Sequence, residues 1–382
     1  MSDLEILLSV NQKISREVLR PRADQVDQSR RFPRENIEAL GKAGLLGLLV
    51  PTQNGGAGAT LAEMSNALDV LSQSCSSTAM VVLMHYCATA VICAKGSENL
   101  KRHLLPVVAR GEHLTTLALS EAGSGGHFYA PVSEVTRNGK QKRLSALKSF
   151  VTSAGEANSY VVSARKAGAA SPTESDLYLI FNDARGFTAR GRFEGLGLTG
   201  NASAPMSLDD VAIDDENRLG PEGSGFQTMM EVVLPHFQIG VASVSLGIAT
   251  AAFQAATAHV TERKYEHAGG ATLSSIPRVQ FLEAEMALEL NSARAYLSET
   301  IRKTMAGDPH VLADLLGIKV RATEACLAVV SRAMTLGGGS AFGRRGGLER
   351  LFRDSQAAAV MGPSSDVLKD FIGKVCLGLP LF

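Results

Sequence analysis

Apolar residues in the first third of the chain recur at helical spacing. Residues 4–18 are periodic, a proline stands just before residues 35–40, and residues 61–72 follow a glycine-rich break. The longest apolar run is 79–94, whose sixteen residues fall short of the ~20 needed to span a membrane. The pattern therefore predicts a helical region with a buried central helix and no membrane span.

The pattern changes near residue 116. Short β-branched and aromatic runs, such as residues 160–164 and 177–181, alternate with turn-forming residues up to about residue 219. These runs predict an antiparallel β domain. A G-x-G-x-x-G string at 195–200 does not lead into a helical pattern. We interpret it as a turn of this domain and not as a dinucleotide-binding fingerprint.

Helical periodicity returns after residue 223. Residues 225–263, 310–335 and 366–375 are candidate helices, and a fourth has one continuous apolar stripe. Four such helices predict a bundle. The members of the stripe follow one another at steps of three or four residues: Val279, Leu282, Met286, Leu290, Ala293, Leu297, Ile301 and Met305.

We therefore predict a mostly α chain with a middle antiparallel β domain. Its three parts are an N-terminal helical domain (1–115), a middle β domain (116–222) and a C-terminal helical bundle (223–382). The 38 basic and 38 acidic residues balance, so a nucleic-acid partner is not expected. The five cysteines lack metal-ligand spacing, and no basic segment precedes an apolar run at the N-terminus. We accordingly expect no metal and a cytoplasmic location.

Three segments near the C-terminus resemble the signature of the acyl-CoA dehydrogenase family. Glycines at 337–339, the run 349–354 and residues 362–364 are similar to the family's Gly-Gly turn, E-R-x-x-R-D and E-G-T. The predicted order of helices, β domain and bundle is also the family's order. The resemblance covers nearly the whole chain. It implies the family's fold, an FAD cofactor held by the middle domain and the bundle, and an acyl substrate.

Two segments of the predicted β domain resemble the family's flavin-contacting motifs. Residues 119–125 are similar to V-T-E-P-G-A-G, which implies that Leu119 and Ser120 contact the pyrimidine edge of the flavin. Residues 148–154 are similar to K-x-W-I-T-N-G. This second match implies that Phe150 covers the flavin ring and that the Thr152 hydroxyl reaches flavin N5. Taken singly, the motifs would also fit a glycine-rich surface loop and an ordinary strand.

The resemblance implies four further cofactor contacts in the bundle. Arg263 matches an arginine that pairs with the flavin pyrophosphate of a neighbouring subunit, and Gly338 and Gly339 match a turn near its adenosine half. Ser364 takes the place of the threonine in E-G-T. A solvated arginine and a glycine helix cap are the ordinary alternatives. Because these groups would serve a neighbour's FAD, we predict a homodimer or homotetramer.

The family's catalytic glutamate is missing. Its position, counted from the E-R-x-x-R-D run, falls on Gly362, and the second position that the family uses falls on Phe237. Neither residue can accept a proton, so the catalytic residue is unknown. Two other residues are candidates for the proton acceptor in place of the glutamate. Asp366 is one, although its more ordinary role is a helix N-cap, and His236, about 100° around the helix from Phe237, is the other.

The substrate-side charges are also replaced, because the family's D-x-x-R falls on residues 235–238. The leading hypothesis is an FAD-dependent, acyl-CoA dehydrogenase-like enzyme of fatty acid metabolism. It would desaturate an acyl thioester, linked to CoA or a carrier, and pass electrons to an electron-transfer flavoprotein or to oxygen. The alternatives are a flavin-dependent monooxygenase or oxidase on the same fold, and a catalytically silent subunit of a hetero-oligomeric dehydrogenase.

Overall fold

The structure, a computed structural model, describes residues 3–139, 141–189, 191, 194–344 and 346–381. It is mostly helical, with strands between the two helical regions, which confirms the predicted fold class. The helices are α1 (Asp3–Ile14), α2 (Arg20–Ser29), α3 (Arg34–Lys42), α4 (Leu61–Ser74), α5 (Ser76–Lys95), α6 (Glu98–Ala109), α7 (Gly225–Thr228), α8 (Leu234–Glu262), α9 (Pro277–Met305), α10 (Leu312–Phe342), α11 (Leu348–Ser355), α12 (Ala357–Val360) and α13 (Ser365–Leu377).

The N-terminal helices surround α5, which is apolar on all sides because it is buried almost along its whole length. Two of its polar side chains bond to backbone carbonyls: the ring Nε2 of His85 pairs with the Leu46 carbonyl at 2.9 Å, and the Tyr86 hydroxyl donates to the Leu45 carbonyl at 2.7 Å. Helix α4 begins with a capping box between Thr60 and Glu63. The predicted central helix is therefore present and forms the core of this region.

Two small sheets follow the first helical region. In one, β1 pairs with β4 in parallel and β4 pairs with β5 antiparallel; the other is antiparallel in the order β2-β3-β7-β6. The 195–200 string forms turns and leads into β7, as expected. The strands are β1 (Thr115–Ala118), β2 (Val135–Asn138), β3 (Gln141–Val151), β4 (Ser159–Arg165), β5 (Ser175–Phe181), β6 (Phe187–Ala189) and β7 (Ala204–Ile213), with a β8–β9 hairpin (Lys264–Tyr265, Ala271–Thr272) between α8 and α9.

The long C-terminal helices α8, α9 and α10 pack together, with α13 against α10. The predicted stripe is the buried face of α9 with one exception: Met305 ends the helix and is 51% exposed. Helix α10 bends at Gly338, whose φ of 54° and ψ of −141° are accessible to glycine at little cost. The kink lies in the predicted cofactor turn.

Three helical stretches have the length and apolar composition of a membrane-crossing segment: Ser76–Lys95, Gly225–Glu262 and Leu312–Phe342. In this fold 83%, 83% and 44% of their most apolar windows are buried inside the protein. Most of the apolar surface of the first two stretches is therefore used in packing, whereas less than half of the third is, and the predicted absence of a membrane span stays a prediction.

Candidate functional site

A buried ion pair holds the two motifs of the β domain together. Lys148 Nζ lies 2.5 Å from Glu121 Oε1, and it also donates to the Ser163 carbonyl at 2.6 Å. Burial raises the pKa of Glu121, but the Lys148 ammonium and the donors of Ser133 outweigh that effect and hold it below its usual range. The pair is thus charged, and it connects the loop after β1 to the end of β3.

The ion pair positions Ser120 and Phe150 side by side. The Ser149 N–H donates to the Ser120 carbonyl at 2.9 Å, so the first motif lies along the second. The register of β3 against β7 shifts between Lys148 and Val151, and Phe150 within this bulge has a φ of 51°. Its ring is consequently 74% exposed instead of packed in the sheet.

Two of the other predicted flavin contacts in the β domain are buried. Leu119 packs into the core, and Thr152 is held by the Thr116 hydroxyl, which donates to the Thr152 carbonyl at 2.9 Å. The Thr152 hydroxyl pairs with the Ser203 hydroxyl at 3.1 Å. An exposed aromatic face beside two hydroxyls, next to a loop in which a Cβ on Gly125 would meet nothing within 4 Å, fits a planar polar ring such as a flavin.

Gly362 lies against this glycine-rich loop. A Cβ built on Gly362 would stand 3.4 Å from the Gly126 carbonyl oxygen, and one built on Gly126 would stand 3.7 Å from a methyl of Val367. The chain thus brings Gly362, where the family resemblance predicts a glutamate, to the glycine-rich loop that follows Ser120. In place of a carboxylate it presents two glycines.

A buried lysine that the sequence did not single out holds the turn around Gly362. Lys319 of α10 donates from Nζ to the Met361 carbonyl at 2.9 Å and to the Pro363 carbonyl at 2.6 Å. No carboxylate pairs with it among the described residues, and burial lowers its pKa to about 7. In the sequence, Lys319 stands out as a charged residue within the apolar pattern of a predicted helix, and this pattern could have indicated a buried lysine.

The beginning of α8 carries a second group of polar side chains. His236 Nδ1 lies 2.7 Å from the Val232 carbonyl, which can only accept, so Nδ1 carries the proton and Nε2 keeps its lone pair. Burial lowers the pKa of His236. Gln238 is fully buried, and neither of its amide atoms has a partner among the described residues. Phe237 is buried beside them.

Ser364, and not Asp366, is the N-cap of α13. The Ser364 hydroxyl accepts from the Val367 N–H at 3.5 Å, because the helix begins at Ser365, one residue before Asp366. Asp366 is exposed in the first turn, where a carboxylate favours the positive end of the helix. This position accounts for Asp366 without a role in proton transfer.

The remaining predicted cofactor residues stand apart from the β-domain motifs. Arg263 ends α8 with an extended backbone and an exposed side chain, and Gly338 and Gly339 lie exposed at the bend of α10. A Cβ built on Gly338 or Gly339 would meet nothing within 4 Å in the described part of the chain. Their predicted role toward a neighbouring subunit stays a prediction.

Comparison with known proteins gives a consistent result along the whole chain. Residues 2–112, 116–211 and 223–377 match the N-terminal, middle and C-terminal domains of acyl-CoA dehydrogenase. The mitochondrial short-chain specific acyl-CoA dehydrogenase of Rattus norvegicus is 30% identical over 91% of this chain and 83% of its own length.

Two solved structures share the fold. Butyryl-CoA dehydrogenase from Megasphaera elsdenii superposes with a TM-score of 0.92, at 23% identity and 99% coverage of both chains. The prolyl acyl carrier protein oxidase AnaB superposes with a TM-score of 0.88, at 20% identity, over 99% of this chain and all of its own.

Proposed function

The chain belongs to the acyl-CoA dehydrogenase family and is a flavin-dependent oxidoreductase of that type, and we propose that it uses FAD to dehydrogenate an acyl thioester at its α,β bond. The acyl group is linked to CoA or to a carrier. The observation that supports this proposal is the Lys148–Glu121 pair, which places the exposed Phe150 ring beside Ser120. The Lys148–Glu121 ion pair thereby fixes the position of the surface on which the flavin ring would bind.

Each residue of this surface has a defined part. The Phe150 ring offers a face for the flavin, and Ser120 and Thr152 offer hydroxyls at its edge. When bound, FAD supplies the acceptor for the hydride that leaves the substrate Cβ. Hydrogen bonds from hydroxyls that are already positioned stabilise developing charge more than mobile water does, since they need no reorganisation.

The proton from the substrate Cα needs an acceptor that Gly362 and Phe237 cannot supply. Of the two surrogates, His236 is the better prepared, because the Val232 carbonyl orients its ring and its lowered pKa leaves it neutral near pH 7. Asp366 is exposed on α13, in a position that a helix N-terminus explains. We therefore favour His236 Nε2 as the proton acceptor.

Anaerobic titration of the FAD-loaded protein with a panel of acyl-CoAs and acyl-phosphopantetheine thioesters tests the proposal. Loss of the oxidised flavin absorbance is the expected result. Thr152→Val should weaken FAD binding or slow this bleaching, whereas Thr136→Val, an exposed threonine of β2, should leave both unchanged. A protein that takes up no FAD would exclude the proposal.

A second candidate is an oxidase that acts on a carrier-linked acyl group. The pairing of Gly362 with Gly126 supports it, since no carboxylate stands at that point, and so does the shared fold with an oxidase of a prolyl acyl carrier protein. Oxygen consumption with carrier-linked but not CoA-linked thioesters would favour it. FAD uptake without bleaching or oxygen consumption on either panel would instead favour the silent subunit.

We also propose a homodimer or homotetramer in which Arg263 and the Gly338–Gly339 turn serve the neighbour's FAD. Large apolar side chains are exposed on the helices of the C-terminal region, which supports an interface there: Phe281, Leu288 and Phe342. An electron-transfer flavoprotein or oxygen as acceptor, and a cytoplasmic location, complete the proposal. Mass measurement by light scattering, with and without Arg263→Glu, tests the assembly.

A further inference from the structure

A polar cleft lies on the N-terminal helices, away from every residue of the candidate site. It is about 330 Å³ in volume and runs between the first helical stretch and the end of α4. Its lining consists of two arginines, two carboxamides, two hydroxyls and one methyl-bearing side chain: Arg16, Arg20, Gln12, Gln73, Ser15, Ser74 and Val70. No carboxylate belongs to this lining, so the cleft presents mainly donors.

A single π turn builds one wall of the cleft. The helix continues from α1 through Ser15–Leu19 into α2, but in that turn the Arg20 N–H donates to the Ser15 carbonyl, five residues earlier. In an uninterrupted α-helix Arg20 would stand about 80° around the axis from Gln12. The extra residue of the π turn reduces this angle to about 20° and aligns Gln12, Arg16 and Arg20 along one edge.

The floor of the cleft contains a hydroxyl without a partner. Ser15 is only 2% exposed, it lines the cleft, and its Oγ makes no hydrogen bond to any described residue. A buried hydroxyl left in this state costs free energy unless a ligand or an ordered water satisfies it. Ser74, also buried, lies on the opposite side of the same floor.

The charges at the rim are only partly balanced. Arg16 pairs with the exposed Glu17 at 3.0 Å, whereas Arg20 has no hydrogen bond or ion pair among the described residues. Gln73 donates from Nε2 to Asp69 Oδ1 at 3.1 Å, and Asp69 is itself neutralised by Arg294 at 2.6 Å. The cleft therefore keeps an excess positive charge beside its unpartnered hydroxyl.

We propose that this cleft binds a small phosphate monoester. The two guanidinium groups complement the charge of the phosphate oxygens, and a change of the Ser15 rotamer lets its hydroxyl, which is closed off from solvent in this structure, donate to one of those oxygens. A volume of about 330 Å³ exceeds that of an inorganic ion and falls at the lower end of small-molecule pockets, so it leaves room for an organic group on the phosphate. The site does not depend on the flavin.

Calorimetric titration of the full-length protein with AMP, inorganic phosphate and adenosine tests the proposal. Saturable binding of AMP at millimolar concentrations or below is expected, with weaker binding of inorganic phosphate and none of adenosine. Arg20→Glu should weaken AMP binding at least tenfold and Ser15→Ala about threefold, because the first removes a charged donor and the second a neutral one.

Arg22→Glu provides the matched control. Arg22 is exposed on α2, two residues from Arg20, and it does not line the cleft. The variant carries the same charge change and should alter AMP binding less than twofold. If Arg22→Glu and Arg20→Glu weaken AMP binding equally, the effect is one of general surface charge and the proposed site is wrong. The proposal is also wrong if neither AMP nor inorganic phosphate binds saturably to the wild-type protein.

Discussion

Two buried lysines show how differently the middle β domain and the turn around Gly362 are built. Lys148 lies against Glu121 at 2.5 Å, within the motifs assigned to the flavin. Lys319 is equally buried, but among the described residues it pairs with the carbonyls of Met361 and Pro363, at the turn where the resemblance predicts a glutamate and the chain has Gly362. The first lysine is part of a closed charge pair, and the second carries an uncompensated charge.

The difference has an energetic reason. A buried ammonium is stabilised when a carboxylate offsets part of its lost hydration, as Glu121 does for Lys148, although burial still lowers the pKa of Lys148. Carbonyl dipoles offset less of that loss, and the pKa of Lys319 accordingly falls to about 7. The β-domain motifs thus contain a paired buried charge, while the turn around Gly362 is held by a buried lysine that has no carboxylate partner among the described residues.

The largest effect is expected for Lys148→Met. It leaves Glu121 buried without its cation, which should lower the free energy of unfolding by about 3–5 kcal/mol, measured by denaturant titration. The double variant Lys148→Met/Glu121→Leu removes both charges and should recover much of that loss. If the single and double variants lose the same stability, the pair is not what holds the two motifs together.

His236→Gln tests the substrate side next. Removing the lone pair at Nε2 should slow flavin bleaching by the best acyl substrate about 100-fold while FAD stays bound. Since burial lowers the pKa of His236, the wild-type rate should be constant above pH 7 and fall only below about pH 6.5 as the ring takes up a proton. Asp366→Asn serves as the control, and a larger loss there would reverse our choice of base.

Lys319→Met tests the second lysine. It leaves two carbonyls without a donor, so the free energy of unfolding should fall by about 1–3 kcal/mol. In the wild-type protein the unfolded chain binds more protons at Lys319 than the folded chain between about pH 7 and the ordinary lysine value, so stability gains from rising pH in that window. The free energy of unfolding of the wild type should therefore rise relative to that of the variant from pH 7 to pH 9. A difference that stays constant with pH would contradict a lowered pKa of Lys319.

The smallest effect is expected for Phe150→Ala. The ring is mostly exposed, so the unfolding free energy of the FAD-free protein should change by less than about 0.5 kcal/mol. Loss of stacking should weaken FAD binding about fivefold, in keeping with ~1 kcal/mol for an aromatic pair. Fluorescence titration with FAD measures this loss. Leu147→Ala, another exposed apolar residue of the β domain, is the control.

Much of the fold could be predicted because it follows from local periodicity. The α9 stripe was readable since its members contact the bundle at regular steps, and only Met305, at the helix end, is exposed. The π turn at Ser15–Leu19 was not readable, because residues 4–18 fit a plain helix equally well. The parallel pairing of β1 with β4 likewise joins residues far apart in sequence.

The sequence by itself determined which residues could form the predicted cofactor motifs, and that the two positions predicted for the family's glutamate, Gly362 and Phe237, carry no carboxylate. Identity at a position is a property of the chain alone. Only the tertiary structure decided that Lys319 reaches the turn 42 and 44 positions away, that Glu121 pairs with Lys148, and that the Ser15 hydroxyl has no partner among the described residues. Burial and hydrogen bonding depend on which distant segments of the chain contact one another, and the local sequence pattern does not predict those contacts.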